Sequence, residues 1–160
     1  MILLVRVDDR LLHGQLLCSW IPFMKADMLV VVSDEVAKDS FKSAIIRECG
    51  EEGLNVVVKG VSEVVRDANC GDFRNVRAIL VVRTLKDAMR LYEEGLTFSS
   101  LNLGNIHHGD GDGRMLCPSV ILNKEDEEII EKLKALGVKI DIRDLPTRTP
   151  VPYIKRENRE

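Results

Sequence analysis

The chain has few aromatic residues. They make up 4% of its 160 positions, with one Trp, two Tyr and four Phe. That is too few for a base-stacking platform of the kind that binds single-stranded nucleic acid. Basic charge is not in excess either. The formal net charge is -3 at pH 7, so no bulk field draws the chain to nucleic acid or to an anionic membrane surface. No apolar run is long enough to cross a bilayer. Met1 to Val5 is apolar, but it has no basic leader and is far too short for a signal peptide. The expectation is a cytosolic protein. The four cysteines, Cys18, Cys49, Cys70 and Cys117, form no Cys-x-x-Cys pair. They read as reduced thiols and not as a zinc site. No Gly-x-Gly-x-x-Gly or Gly-x-x-x-x-Gly-Lys-Ser/Thr pattern opens a helix, which argues against a nucleotide-binding domain. Repeats, linkers and low-complexity stretches are missing too.

What the chain does have is alternation. Hydrophobic residues are 45% and charged residues 31% of the total, ordinary for a globular domain. Short apolar runs at Ile2–Val7, Met28–Val32, Leu54–Val58, Arg77–Val82, Leu101–Leu103 and Val138–Ile142 read as strands, with a further short strand within Cys117–Leu122. Amphipathic segments lie between them. Gly14–Ile21 reads as a helix with Leu17, Trp20 and Ile21 on one face, ended or kinked by Pro22. Asp39–Glu48 carries Phe41, Ala44 and Ile45 at helical spacing. Ser62–Ala68 is a short helix with Ser62 as N-cap. Thr84 to Asp87 resembles a capping box ahead of Leu85, Ala88, Met89 and Tyr92, and Gly95 stops that helix. Asn123 caps a last helix with Ile129, Ile130, Leu133 and Leu136 as its buried face. Such alternation predicts an α/β fold: a single domain with a mostly parallel central sheet and helices on both faces. Residues 1–150 form the predicted domain and 151–160 a surface tail.

In open parallel sheets, sites gather at the carboxyl ends of strands. The polar stretches at those ends are Asp8–His13, Ser33-Asp34-Glu35, Arg83-Thr84, a glycine-rich loop from Gly104 to Gly113, and Asp144 to Thr147. The first is the most informative. Asp8-Asp9-Arg10-Leu11-Leu12-His13-Gly14-Gln15 presents an imidazole where a strand ends and a helix begins. A neutral imidazole is a competent nucleophile near neutral pH, because its unperturbed pKa is about 6.5. Arg10 can fork onto two phosphate oxygens. First-turn amides of Gly14, Gln15 and Leu16 can hold a third oxygen, and Gly14 lets the backbone come close. Asp8 or Asp9 could hold Arg10 or fix the imidazole tautomer, one of them being structural. Arg10 could instead pair with Asp9 or Asp34. The plain alternative for His13 is a residue that merely caps or packs at a helix start. Trp20 reads as packing.

The segment R-V-D-D-R-L-L-H-G-Q, with Trp20 a few residues on, closely resembles the signature of the IIB subunit of the mannose/fructose/sorbose family of the sugar phosphotransferase system. The resemblance continues through Val30–Asp39, Leu101–Gly104 and Arg143–Thr147 and covers the chain to about Pro150. It implies that His13 carries the phosphoryl group, on Nδ1, with Arg10 beside it. It also implies a phosphorylated IIA protein as donor, membrane IIC and IID subunits and a sugar as further partners, and peripheral association with that membrane complex. No dissociable cofactor, metal or nucleic acid is implied, and a homodimer would have to leave the His13 edge accessible. Asp8, Asp9, Gly14, Gln15, Asp34 and His107 complete the set of supporting candidates. Where the family often has two adjacent glycines, this chain has Gly104-Asn105. His107 and His108 with Asp110 and Asp112 invite a metal reading. An EF-hand counted from Asp110 fails, because Met115 and Ile121 stand where the turn glycine and last carboxylate belong. Two other functional readings compete: a regulatory phosphohistidine module without transport, and a small-molecule-binding domain without covalent chemistry.

Overall fold

The valine-rich runs are buried on both sides, which places them inside a covered sheet. All five residues of Ala78–Val82 are enclosed, as are four of the five in Met28–Val32. The computed structural model describes residues 1–108 and 113–155. Six strands, β1 (Ile2–Asp8), β2 (Met28–Val32), β3 (Asn55–Lys59), β4 (Ala78–Val82), β5 (Ser100–Asn105) and β8 (Lys139–Ile142), form one sheet in the order β3-β2-β4-β1-β5-β8. Every neighbouring pair in it is parallel. A separate antiparallel hairpin, β6 (Arg114–Cys117) and β7 (Val120–Leu122), follows β5.

Two apolar layers cover the sheet. On one face, Leu11, Leu16, Trp20, Ile21 and Val36 pack against Leu29, Val31, Val56, Val58, Ile79 and Val81. Their carriers are a π-helical turn (Leu16–Trp20), α1 (Ile21–Met24) and α2 (Asp34–Lys38), with α3 (Ser40–Glu48) beside them. On the other face lie α4 (Val61–Cys70), α5 (Leu85–Glu93) and α6 (Lys124–Ala135), which contribute Val64, Leu85, Leu91, Ile130 and Leu133. The helix after β1 therefore takes one face, while α5 and α6, which follow its neighbours β4 and β5, take the other. That divergence makes the carboxyl end of β1 the switch point of the sheet, where open α/β sheets bind their ligands.

Several local expectations are corrected. Pro22 does not end its helix. The turn before it is π-wound, with the Ile21 N–H bonded to the Leu16 carbonyl, and Pro22 falls in the first turn of α1, where no intrahelical donor is needed. The helix stops at Lys25, in left-handed conformation. The α3 face drawn from Phe41, Ala44 and Ile45 looks outward: Phe41 is 74% exposed, and Ser43 is buried instead. Ser62 lies inside α4, whose N-cap is Gly60. Leu136 is the C-cap of α6 and stands in solvent. The glycine-rich loop begins later than expected, because Gly104 and Asn105 are buried residues of β5. Thr84 and Asn123 cap their helices as expected. Residues 147–155 run over the surface and are pinned at Val151, which pairs with Ile142.

The inside–outside assignment of the helices can be measured by urea denaturation. Phe41→Ser should change stability by no more than about 0.5 kcal/mol, whereas Leu133→Ala should cost about 2–5 kcal/mol.

Candidate functional site

Period-two alternation along β1 sends Val5 and Val7 into the layer of α4–α6 and Arg6 and Asp8 to the opposite face. Both Arg6 and Asp8 have fully buried side chains. Two buried charges are tolerable only when paired and hydrogen-bonded. Arg6 donates from Nη2 and Nε to Asp8 Oδ2 at 2.8 and 3.2 Å, and from Nη1 to Asn102 Oδ1 at 2.6 Å. Its guanidinium stands 5.2 Å from the Trp20 ring centroid. Trp20 itself is buried and donates Nε1–H to the Asp144 carbonyl at 2.7 Å. Where β1 leaves β5 the register slips, from Val7–Leu103 to Asp8–Asn105, with Gly104 as the extra residue.

Beyond β1 the chain turns sharply. The Leu11 N–H bonds to the Asp8 carbonyl at 3.0 Å, and Leu11 takes φ 55°, unusual for a residue with a side chain. That conformation costs roughly 1 kcal/mol and is held by burial of the Leu11 side chain. The turn folds Arg10 and His13 back over Asp8. Asp8 Oδ1 accepts from the Arg10 N–H at 3.2 Å and from Nε at 3.1 Å, and Oδ2 accepts from Nη2 at 3.2 Å. Oδ2 also meets His13 Nε2 at 2.9 Å. Burial alone would raise the Asp8 carboxyl pKa; the hydrogen bonds from His13 and Arg10 and the charge of Arg6 outweigh it and hold the group far below the usual carboxylate range. An ionised carboxylate only accepts, so Nε2 carries the imidazole proton and Nδ1 keeps its lone pair. Nδ1 has no hydrogen bond among the described residues. The His13 side chain is 13% exposed.

The other candidates divide cleanly. Gln15 Oε1 accepts from Arg10 Nη2 at 3.2 Å, so it braces the arginine. Arg10 Nη1 is uncommitted among the described residues, and the side chain is 42% exposed. The N–H groups of Gly14, Gln15 and Leu16 have no backbone partner there. A Cβ on Gly14 would meet nothing within 4 Å, so glycine leaves the surface above these amides open. Asp9 is the structural member of the aspartate pair. It accepts from the Asn105 side-chain amide and, at 2.9 Å, from the His107 N–H, while its own N–H reaches the Asn105 carbonyl. His107 Nδ1 in turn accepts from Asn105 Nδ2 at 3.1 Å, and its Nε2 faces the Pro118 carbonyl. This bracket ties the ends of β1 and β5 to the hairpin, and no hydrogen bond of His107 reaches Arg10 or His13. Asp34 is not brought to the site. It accepts from the Val61 N–H at 2.9 Å and from Arg90 at 2.7 Å, and so caps α4 from outside; those bonds lower its pKa. Of the proposed metal ligands, Asp110 and Asp112 lie outside the described residues, and His108 pairs with Asp126.

Arg6, Asn102 and the role of Gly104 went unread in the sequence. The available signal was an arginine two residues before Asp8 in an otherwise apolar strand, facing the Asn and Gly of Leu-Asn-Leu-Gly.

The profile described as "PTS system sorbose subfamily IIB component" matches residues 2–157. The chain belongs to this family. The fructose-specific EIIB component of Bacillus subtilis (strain 168) is 29% identical to it over 154 residues, covering 96% of this chain and 94% of that protein. The mannose-specific EIIAB component of Escherichia coli (strain K12) is 30% identical over 144 residues, covering 90% of this chain but 44% of the longer relative. Among solved structures, the N-acetylgalactosamine-specific IIB component 1 of Escherichia coli superposes with a TM-score of 0.88 at 26% identity, covering 96% of this chain and all (100%) of that one. As a IIB component, this chain is part of a phosphotransferase system for sugar uptake. No helix among the described residues is long and apolar enough to cross a membrane.

Three outcomes follow from the geometry of the IIB site. Asp8→Asn leaves the buried Arg6 without its counter-charge and should destabilise the fold by about 3–5 kcal/mol in denaturant titrations. Because the folded-state pKa of Asp8 is depressed, its contribution is fully present above the unfolded value of about 3.9 and is lost as pH falls towards the folded one. Stability of the parent chain should therefore drop more steeply below pH 4 than that of Asp8→Asn, by up to about 1.4 kcal/mol per pH unit. Asp34→Ala should lower stability in denaturant titrations by about 1 kcal/mol through its lost cap on α4.

Proposed function

We propose that this IIB protein carries a phosphoryl group on His13 Nδ1, taken from a phosphorylated IIA protein and delivered to a sugar entering through membrane IIC and IID subunits. The observation that carries this reading is the 2.9 Å contact between His13 Nε2 and the ionised Asp8 carboxylate, which leaves Nδ1 with the ring's lone pair. In the first step the N–P bond of the donor breaks as the His13 Nδ1–P bond forms. The donor imidazole keeps the electron pair. In the second step the sugar hydroxyl oxygen attacks phosphorus and its proton passes to solvent, while the Nδ1–P bond breaks with its electron pair returning to Nδ1, so that His13 leaves as neutral imidazole. Both steps pass through a planar, loosely bonded phosphoryl, so positioning and charge stabilisation supply the catalysis.

Arg10 is the cation for that phosphoryl. Half exposed and with Nη1 uncommitted, it can add bonds to phosphate oxygens without leaving the Asp8–Gln15 cradle altogether. Its planar fork suits two phosphate oxygens. The amides of Gly14, Gln15 and Leu16 supply neutral donors on the adjoining surface. The protein works from the cytoplasmic side, peripherally associated with the membrane subunits.

Incubation with phosphoenolpyruvate, the general phosphotransferase proteins and a IIA donor should place one acid-labile phosphate on the peptide bearing His13, as located by mass spectrometry. The label should vanish in His13→Ala, and its persistence there would sink the assignment. Arg10→Ala should slow loading by about 100-fold or more, measured as the rate of label incorporation.

A further inference from the structure

Arg6 is the buried charge that the transfer steps above do not use. It is fully enclosed, and three features of the fold accommodate it. Asn102, the neighbour on β5, accepts from Nη1. Trp20 lies over the guanidinium. Gly104 leaves the slot itself: a Cβ there would stand 2.0 Å from Arg6 Cζ and 2.1 and 2.3 Å from its two terminal nitrogens. A chain that only needed a filled core would place an apolar side chain here, since buried ion pairs add little to stability compared with hydrophobic residues of the same volume.

We propose that Arg6 is a positioning residue, the immovable counter-ion that keeps the Asp8 carboxylate aimed at His13 Nε2 while Arg10 turns towards the phosphoryl group. The inference rests on the reading of His13 as the phosphoryl carrier. Asp8 is shared by two arginines of opposite character. Arg10 is 42% exposed and free to move, whereas Arg6 is 0% exposed and walled in by Asn102, Gly104 and Trp20. Each bond that Arg10 gives to a phosphate oxygen weakens its hold on Asp8. Without Arg6, the buried carboxylate would then have His13 as its remaining partner and would draw a second proton onto the ring. An imidazolium has no lone pair at Nδ1 and cannot attack phosphorus. Arg6 prevents this in two ways. It satisfies Asp8 Oδ2 from a fixed direction, and its charge opposes protonation of His13. The other charged groups around the cluster are Asp141 on β8, Arg143 and Asp144 after it, Asp9 after β1 and His107 after β5. All of them persist in the variants below, so the variants isolate Arg6.

The test is nitrogen-15 NMR of the histidine rings in the full chain, titrated without any phosphoryl donor. Wild type should show neutral His13 protonated on Nε2. In Arg6→Met the midpoint should rise by about one pH unit, and in Arg6→Lys, which keeps the charge, it should return most of the way to wild type. Gly104→Ala keeps Arg6 but drives the guanidinium from its slot, so it should raise the midpoint in the same direction. It also carries the test if Arg6→Met does not fold. In loading assays the acid limb of the rate–pH profile should move up with the midpoint, which a loss of stability alone would not produce. An unchanged His13 midpoint and tautomer in folded Gly104→Ala, or in Arg6→Met, overturns the proposal. Wild type that gives these NMR shifts yet never takes up phosphate would instead overturn the carrier reading, while supporting Arg6 as the residue that positions Asp8 and His13.

Discussion

A buried arginine–aspartate pair at the end of the first strand governs the arrangement of everything around it. Neither ion can be left alone in a closed interior, where the loss of hydration costs several kcal/mol per charge. Each demand for compensation shapes a neighbour. Arg6 requires an acceptor on β5, which Asn102 supplies, and a void beside it, which Gly104 supplies. Asp8 requires donors, and the turn after β1 bends back to provide them from Arg10 and His13. The site is thus a consequence of satisfying one carboxylate. A loop held only by its own turn would sample many geometries; this one is drawn onto a charge that belongs to the sheet.

The sheet topology explains why the cluster can reach a partner at all. The chain after β1 goes to one face and those after β4 and β5 to the other, so among the described residues no helix crosses over the carboxyl end of β1. Asp9 then performs the opposite task to its neighbour. While Asp8 gathers the mobile side chains, Asp9 bonds to Asn105 and His107 and fixes the strand end against β5 and the hairpin. Asp8 is the last residue of β1 and Asp9 the first of the turn, held by its own N–H to the Asn105 carbonyl, so one aspartate faces the site and the other the bracket. The Asn105 position gains a meaning here. Its side-chain amide is the clasp of that bracket, and a second glycine after Gly104 could not provide it.

The alternation of strands and helices was legible because buried parallel strands are short, valine-rich and uninterrupted, and their pattern survives without tertiary context. The loop from Asp8 to Gln15 was legible because its residues act on one another locally. What escaped were features set by partners far away in sequence. Arg6 looks like a strand charge until Asn102 and Gly104 are placed beside it. Asp34 looks like a site carboxylate because it follows a strand end, but the sheet order puts β4 between β2 and β1, and its partners turn out to be Val61 and Arg90. Phe41 and Ile45 have helical spacing, but the period of an amphipathic face does not say which face is inward, and α3 lies at the margin of the layer, beside the edge strand β3. Ser62 missed its cap by two residues because Glu63 and Asp34 serve the α4 terminus instead.

On the proposed reading of His13 as phosphoryl carrier, the charges at the site also bear on how it can both load and unload. Asp8 with Arg6 and Arg10 sums to one positive charge around a neutral imidazole. A phosphoryl group brings about -1.5 to -2, so the loaded cluster ends only modestly negative. More fixed cations would hold the phosphate too firmly to surrender, and fewer would leave the loading step without stabilisation. The two arginines share this task by depth. The deep one balances the carboxylate in both states and does not move. The shallow one turns between Asp8 and the phosphate, exchanging one set of charge-assisted hydrogen bonds for another of similar strength. Because the bonds gained to phosphate offset those loosened on Asp8, loading and release can both proceed without a deep energy well on either side.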